Sequence, residues 1–168
     1  MNKMGFGYLR LPKIDEELDY NTINEITDAY LAAGGRYFDT AYSYLGGKSE
    51  EAIGRCLSSR HSRDSFMLAS KLAGYDVKSY EDCWTQFNTQ LARCGVEYFD
   101  VYMLHWLNKN NYDLAEKYNE FAFLTELKEK GLAKKTGFSY HDTADLLDEI
   151  LTKHPEVDYV LLQINYLD

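Results

Sequence analysis

The feature that most constrains this chain is a rhythm. Short apolar runs rich in β-branched and aromatic residues return roughly every 30 residues, with longer stretches of helical periodicity between them. The runs fall at residues 5–9, 37–39, 66–71, 99–105, 135–139 and 159–164. Between them Ile23, Ile26, Tyr30 and Ala33 share one helical face, as do Phe123 and Leu127 and, later, Ala144, Leu147 and Leu151. Gly34, Gly35, Gly95 and Gly131 stand where those helices must stop. This alternation specifies βα units on a parallel sheet and leaves two architectures, an open doubly wound sheet or a closed (β/α)8 barrel.

The first βα turn arbitrates. Gly5-Phe6-Gly7-Tyr8 holds a GxG without the third glycine, and no strand of ordinary length precedes it, so the dinucleotide fingerprint of the open sheet is missing. A barrel needs eight strands and typically about 250 residues, whereas these 168 residues reach only the sixth candidate strand. The expectation is an α/β chain of the TIM (β/α)8-barrel type, truncated after about six strands, with residues 1–168 as one N-terminal portion. Its unpaired sheet edges would invite self-association.

Charge narrows the partners. With 18 Lys plus Arg against 27 Asp plus Glu, the net charge is −9, a field that repels phosphate backbones and anionic lipid. No nucleic-acid or membrane partner is expected. No apolar stretch approaches the roughly 18 to 20 residues of a membrane span, and the N-terminus lacks the apolar core of a signal peptide, so a cytoplasmic location is expected. Cys56, Cys83 and Cys94 match neither a metal knuckle nor a disulfide framework and read as free thiols. Asp15-Glu16-Glu17 reads as a solvated helix start.

Barrels place chemistry at the C-terminal ends of their strands, so the polar residues closing each run define the candidate site. These are Asp39, Lys71, His105 and Ser139, with Gln163 and Asn165 on the sixth run. Tyr44 lies just beyond Asp39, within loop reach of the same mouth. Singly, such residues are more often caps or pairing partners; their convergence points to chemistry. A lysine ending an apolar strand is costly to desolvate unless a carboxylate compensates, and Asp39 on the adjacent strand can do so. A phenol beside that ammonium is expected to fall below its reference pKa of about 10 and serve as a general acid. A neutral His105 would direct the substrate oxygen. The set suits protonation of a carbonyl.

At this point a family likeness is legible. Gly5-Phe6-Gly7-Tyr8-Leu9-Arg10-Leu11-Pro12, Phe38-Asp39-Thr40-Ala41-Tyr42-Ser43-Tyr44, Gly47-Lys48-Ser49-Glu50-Glu51-Ala52-Ile53-Gly54, Ala69-Ser70-Lys71, Tyr98-Phe99-Asp100-Val101-Tyr102-Met103-Leu104-His105 and Gly137-Phe138-Ser139 occur in order. Together they resemble the aldo-keto reductase superfamily. The resemblance implies a catalytic tetrad of Asp39, Tyr44, Lys71 and His105, with Tyr44 as proton donor, Lys71 lowering its pKa, Asp39 holding Lys71 and His105 orienting the carbonyl. It also implies hydride transfer between NADPH, or NADH, and an aldehyde or ketone. The implied cofactor-contacting positions are Tyr8, Asp39, Ser139 and Gln163, with Tyr140 standing where the family commonly has Asn. The family's pyrophosphate and adenosine-phosphate contacts come mainly from its seventh and eighth βα units. The branch it most resembles often appends a ferredoxin-like segment, so an iron-sulfur cluster is expected only in a longer parent chain.

Trp106 is the candidate substrate wall, with Tyr8 and Tyr42 near the mouth. His141 and Asp142 read as opening the following helix, Asp142 as its cap. Two other readings compete. One keeps the fold as a non-catalytic binding or regulatory module. The other, a metal-dependent hydrolase using Asp39, His105 and His141, lacks the HxH pair on the first strand, and no metal is expected.

Overall fold

The computed structural model describes residues 4–164. In chain order, β1 (Phe6–Gly7) leads into a hairpin of β2 (Lys13–Ile14) and β3 (Glu17–Leu18), then α1 (Tyr20–Ala32) and β4 (Tyr37–Asp39). There follow α2 (Lys48–Ile53), β5 (Met67–Leu72), α3 (Tyr80–Cys94), β6 (Phe99–Leu107), α4 (Tyr112–Lys117), α5 (Glu120–Glu129), β7 (Ala133–Tyr140), α6 (Ala144–Lys153) and β8 (Tyr159–Leu162). Six strands form one sheet in the order β1-β4-β5-β6-β7-β8. Every neighbouring pair is parallel. Each expected run supplies one of these strands. The outer two are shorter than the sequence suggests: Gln163 lies just past β8, and Asn165 lies outside the described residues.

Local signals set the element ends. The Asp19 carboxylate accepts hydrogen bonds from the N–H groups of Asn21 and Thr22 and so caps α1. Ser79 does the same for α3 through the Asp82 N–H. The acidic run corrects the sequence expectation. Asp15 and Glu16 have φ of 47° and 69° and form the two-residue turn between β2 and β3. A right-twisted ribbon needs left-handed residues at both central positions, so a hairpin takes these residues and the helix waits for Asp19.

The sheet is strongly curled. Tyr37 on β4 and Tyr159 on β8 stack with ring centroids 6.5 Å apart, although their strands sit four steps apart in the sheet. In a flat sheet those steps would separate them by about 19 Å. On the concave face Tyr37, Tyr159 and Leu161 pack on Ala69, Val101 and Met103. The convex face carries Phe38, Leu68, Tyr102, Leu104 and Phe138 into a larger core with Ile23, Phe87, Phe123 and Leu127 of the helices. Close strand contact within this curl requires Gly137, where a Cβ would meet the Tyr159 carbonyl oxygen at 1.8 Å. The outcome is a half-barrel with β1 and β8 as the edges of the described sheet. At the second edge β8 is only half-buried, and Ile150 is the single fully buried residue of α6.

Candidate active site

Strand parity brings the strand-end residues together. Side chains alternate between the faces of a strand, and Tyr37, Ala69, Val101 and Met103 face the concave side. Asp39, Lys71 and His105 continue the same alternation to the C-terminal ends of β4, β5 and β6 and so open on one cleft. Tyr44 arrives by a different route. After β4 the chain coils through Leu45, Gly46 and Gly47, with φ of 53°, 64° and 93°, a left-handed sequence that folds the loop back over the mouth. Leu45 bears a strain of about 1 to 2 kcal/mol for this.

Lys71 is the centre of the arrangement and is 1% exposed. Its ammonium donates to Asp39 Oδ1 at 2.6 Å, to the Thr40 carbonyl at 2.8 Å and to the Tyr44 phenol oxygen at 3.3 Å. An ammonium has three protons, and each has an acceptor. Because the Tyr44 oxygen accepts from Lys71, its own proton is free to point into the cleft. The His105 ring lies edge-on to the Tyr44 ring at 5.4 Å, with its Nδ1 3.5 Å from the Ser43 hydroxyl.

The electrostatics correct one expectation. Burial, then the charge of Asp39, pushes the Tyr44 phenol up to about 12 rather than down. Lys71 is spent on Asp39, so the pair offers the phenol little net positive potential at rest. Burial raises Asp39 above the usual carboxylate range against the pull of Lys71. Lys71 is lowered by the same desolvation. His105 is lowered to about 4, by burial and then by Lys71, and is therefore neutral at physiological pH.

The rim is built by a bulge. The β6–β7 register shifts between Leu104 and Leu107, and Trp106 sits there with φ of 59°. Its N–H donates to Ser139 Oγ at 2.7 Å, and its carbonyl accepts from Asn108 Nδ2 and Asn111 Nδ2, each at 2.9 Å. The indole is left 53% exposed at the cleft. Tyr75, from the loop after β5, faces both His105 at 6.3 Å and Trp106 at 6.2 Å. Sequence reasoning missed Tyr75, Asn108 and Asn111. Carrying the strand-end rule a few residues into each loop would have found Tyr75; the two asparagines act only through the bulge, which no periodicity announces.

Other candidates lie elsewhere. Tyr8 is fully buried on the convex side, its hydroxyl bonded to Thr27 of α1 at 2.5 Å, so its ring neither walls the mouth nor faces a cofactor there. Tyr42 lies under the Arg93 guanidinium. Tyr140 follows Ser139 by one position and so points outward, donating its hydroxyl to the Thr143 carbonyl. Ser139 is buried against the bulge, and Gln163 is exposed beyond β8. Asp142 accepts from the N–H groups of Thr143 and Lys109, but the cap position of α6 belongs to Thr143. Among the described residues no group of three or more His, Cys, Asp or Glu is placed to hold a metal ion. None of the described helices is long and apolar enough to cross a membrane.

Comparisons with known proteins agree with this fold. The model of the Aldo/keto reductase family matches residues 3–168. An aldo-keto reductase of Mycobacterium avium (strain 104) is 30% identical over 161 residues, which is 95% of this chain and 51% of that protein. The crystal structure of an aldo-keto reductase enzyme from a Medee basin deep-sea metagenome library is 29% identical with a TM-score of 0.72, covering 98% of this chain and 55% of that one. An aldo-keto reductase from Klebsiella pneumoniae in complex with NADPH shares the fold, with a TM-score of 0.73 at 21% identity over 93% of this chain and 52% of that one. The chain thus spans about half the length of the curated relatives it matches.

Proposed function

The chain belongs to the aldo/keto reductase family, and from that premise we propose that its cleft binds a small aldehyde or ketone and protonates the carbonyl oxygen during reduction, with Tyr44 as the general acid. The observation that carries this reading is the allocation of the Lys71 protons to Asp39, Thr40 and the Tyr44 oxygen, which leaves the phenolic proton facing the cleft beside a neutral His105.

A phenol held at about 12 keeps its proton throughout the physiological range. It releases that proton only to an oxygen that has become strongly basic, as a carbonyl oxygen does while it gains electrons. The phenolate then formed lies 3.3 Å from Lys71, whose charge meets it at that moment. Lys71 acts on the state being reached rather than on the resting acid. Neutral His105 donates a hydrogen bond to the same oxygen and fixes its direction, and Trp106 and Tyr75 wall the substrate. At rest the site is set for reduction.

NADPH, or NADH in its place, supplies the hydride when bound. The chain's residues fit such a group in part: the Ser139 hydroxyl, which accepts the Trp106 N–H and keeps its own proton, and the amide of Gln163 would hold the nicotinamide carboxamide. NADPH consumption across a panel of small aldehydes tests the reading. Tyr44→Phe should lower turnover at least about 10²-fold while NADPH fluorescence quenching is unchanged. A drop below about tenfold would assign the acid elsewhere. Absence of quenching in the parent chain favours the second reading, a non-catalytic binding or regulatory module.

A further inference from the structure

Glu120 opens α5 and is 2% exposed, yet its Oε1 is buried without a hydrogen bond among the described residues. Buried carboxyls without partners are rare and call for a reason. The carboxyl fills the space beside Gly74, where a Cβ would come within 2.2 Å of Oε2 and 2.7 Å of Oε1. Gly74 begins the tight turn Gly74–Asp76, and this turn holds Tyr75 over His105 and Trp106. The residue before it is fixed, because Gln86 accepts the Ala73 N–H at 3.1 Å and donates to the Ala73 carbonyl at 3.3 Å. The turn therefore stands on a clamped base with Glu120 beneath it.

We propose that Glu120 is a positioning residue for the Tyr75 turn, its neutral carboxyl packing under Gly74 to close Tyr75 over the cleft and its carboxylate form lifting the turn away. The functional meaning rests on the reading of that cleft as a carbonyl-binding site; the movement itself does not. A neutral carboxyl tolerates this dry contact, whereas an ion without donors draws in water, and the turn is the element above it. Burial alone holds Glu120 up to about 7, so both forms are accessible near neutrality. The ionisable groups that feel its charge are Cys83 of α3, itself pushed up to about 12, and Tyr102 of β6, raised further by full burial; both stay protonated. Among the described residues, α4 and the turn bring no charge that shifts it.

Fluorine NMR of the chain labelled with 5-fluorotryptophan tests this without turnover, so its failure leaves the Tyr44 assignment untouched. The two tryptophans give two resonances, and Trp106→Phe identifies the one beside Tyr75. The Trp106 resonance is expected to titrate with a midpoint near 7. In Glu120→Gln it should stay at its acid position at every pH. A Trp106 resonance that does not titrate in the parent chain, or a titration that survives Glu120→Gln, overturns the proposal.

Discussion

The two ends of the curled sheet solve the same problem differently. Each sets an aspartate beside a cation, Asp100 buried and Asp39 half-buried. At the N-terminal end Asp100 of β6, 4% exposed, accepts from Arg63 at 2.6 Å, Lys134 at 2.8 Å and the Leu68 N–H at 2.9 Å. Burial raises its pKa, but these donors outweigh burial and hold the carboxylate below its usual range. At the C-terminal end Asp39 has Lys71 as its one donor among the described residues, burial wins, and Asp39, Lys71 and His105 are all driven toward their neutral forms. The number of donors per carboxylate separates a clamp from a reactive site. Surplus donors fix a charge, while scarce ones leave protons ready to move.

Lys71→Met probes the reactive end hardest and should cost on the order of 10³-fold in turnover, because the forming phenolate loses its cation. Its melting temperature should fall little, since the orphaned Asp39 takes up a proton; a large loss of stability would erase the contrast between the ends. Asp100→Asn should do the reverse, destabilising by about 3 to 5 kcal/mol in denaturant titrations while turnover in the folded fraction is kept. The sign follows from its depressed folded pKa. Its contribution is present above the unfolded value of 3.8 and lost as pH falls through the folded one, so variant and parent should converge in acid.

Glu120→Gln extends the contrast to a carboxyl with no donor among the described residues. Its folded pKa of about 7 lies above the unfolded 4.5, so the folded state is penalised as pH rises through that window. The variant should match the parent below about pH 4.5 and exceed it by about 2 to 3 kcal/mol above pH 7, read as a pH-dependent gain in melting temperature. Trp106→Gly is the smallest step. Relief of the positive φ should add about 1 kcal/mol of stability, and the loss of the indole should raise KM for aromatic aldehydes while KM for acetaldehyde stays.

Much of this was legible beforehand. The βα rhythm gave all six parallel strands in order, and strand ends marked Asp39, Lys71 and His105 because alternation along each strand fixes which residues share a face. The misreadings have physical causes. Asp15-Glu16-Glu17 has the composition of a first helical turn, but hairpin twist claimed it. Tyr8 and Tyr140 sit at the right height with the wrong parity, and their rings turned outward. The Trp106 bulge and its asparagine supports arise from a register slip between β6 and β7, a property of two strands together.

Order, parity and the identity of the groups at the mouth are therefore properties of the sequence, since they follow from local periodicity along a single chain. The charge state of those groups was decided only in three dimensions. A phenol raised to about 12 rather than lowered, a histidine near 4 and an orphaned Glu120 all depend on how much water is excluded and on which donors arrive from other strands and helices. Those distances are set by the curl of the whole sheet and have no counterpart in the linear order of residues.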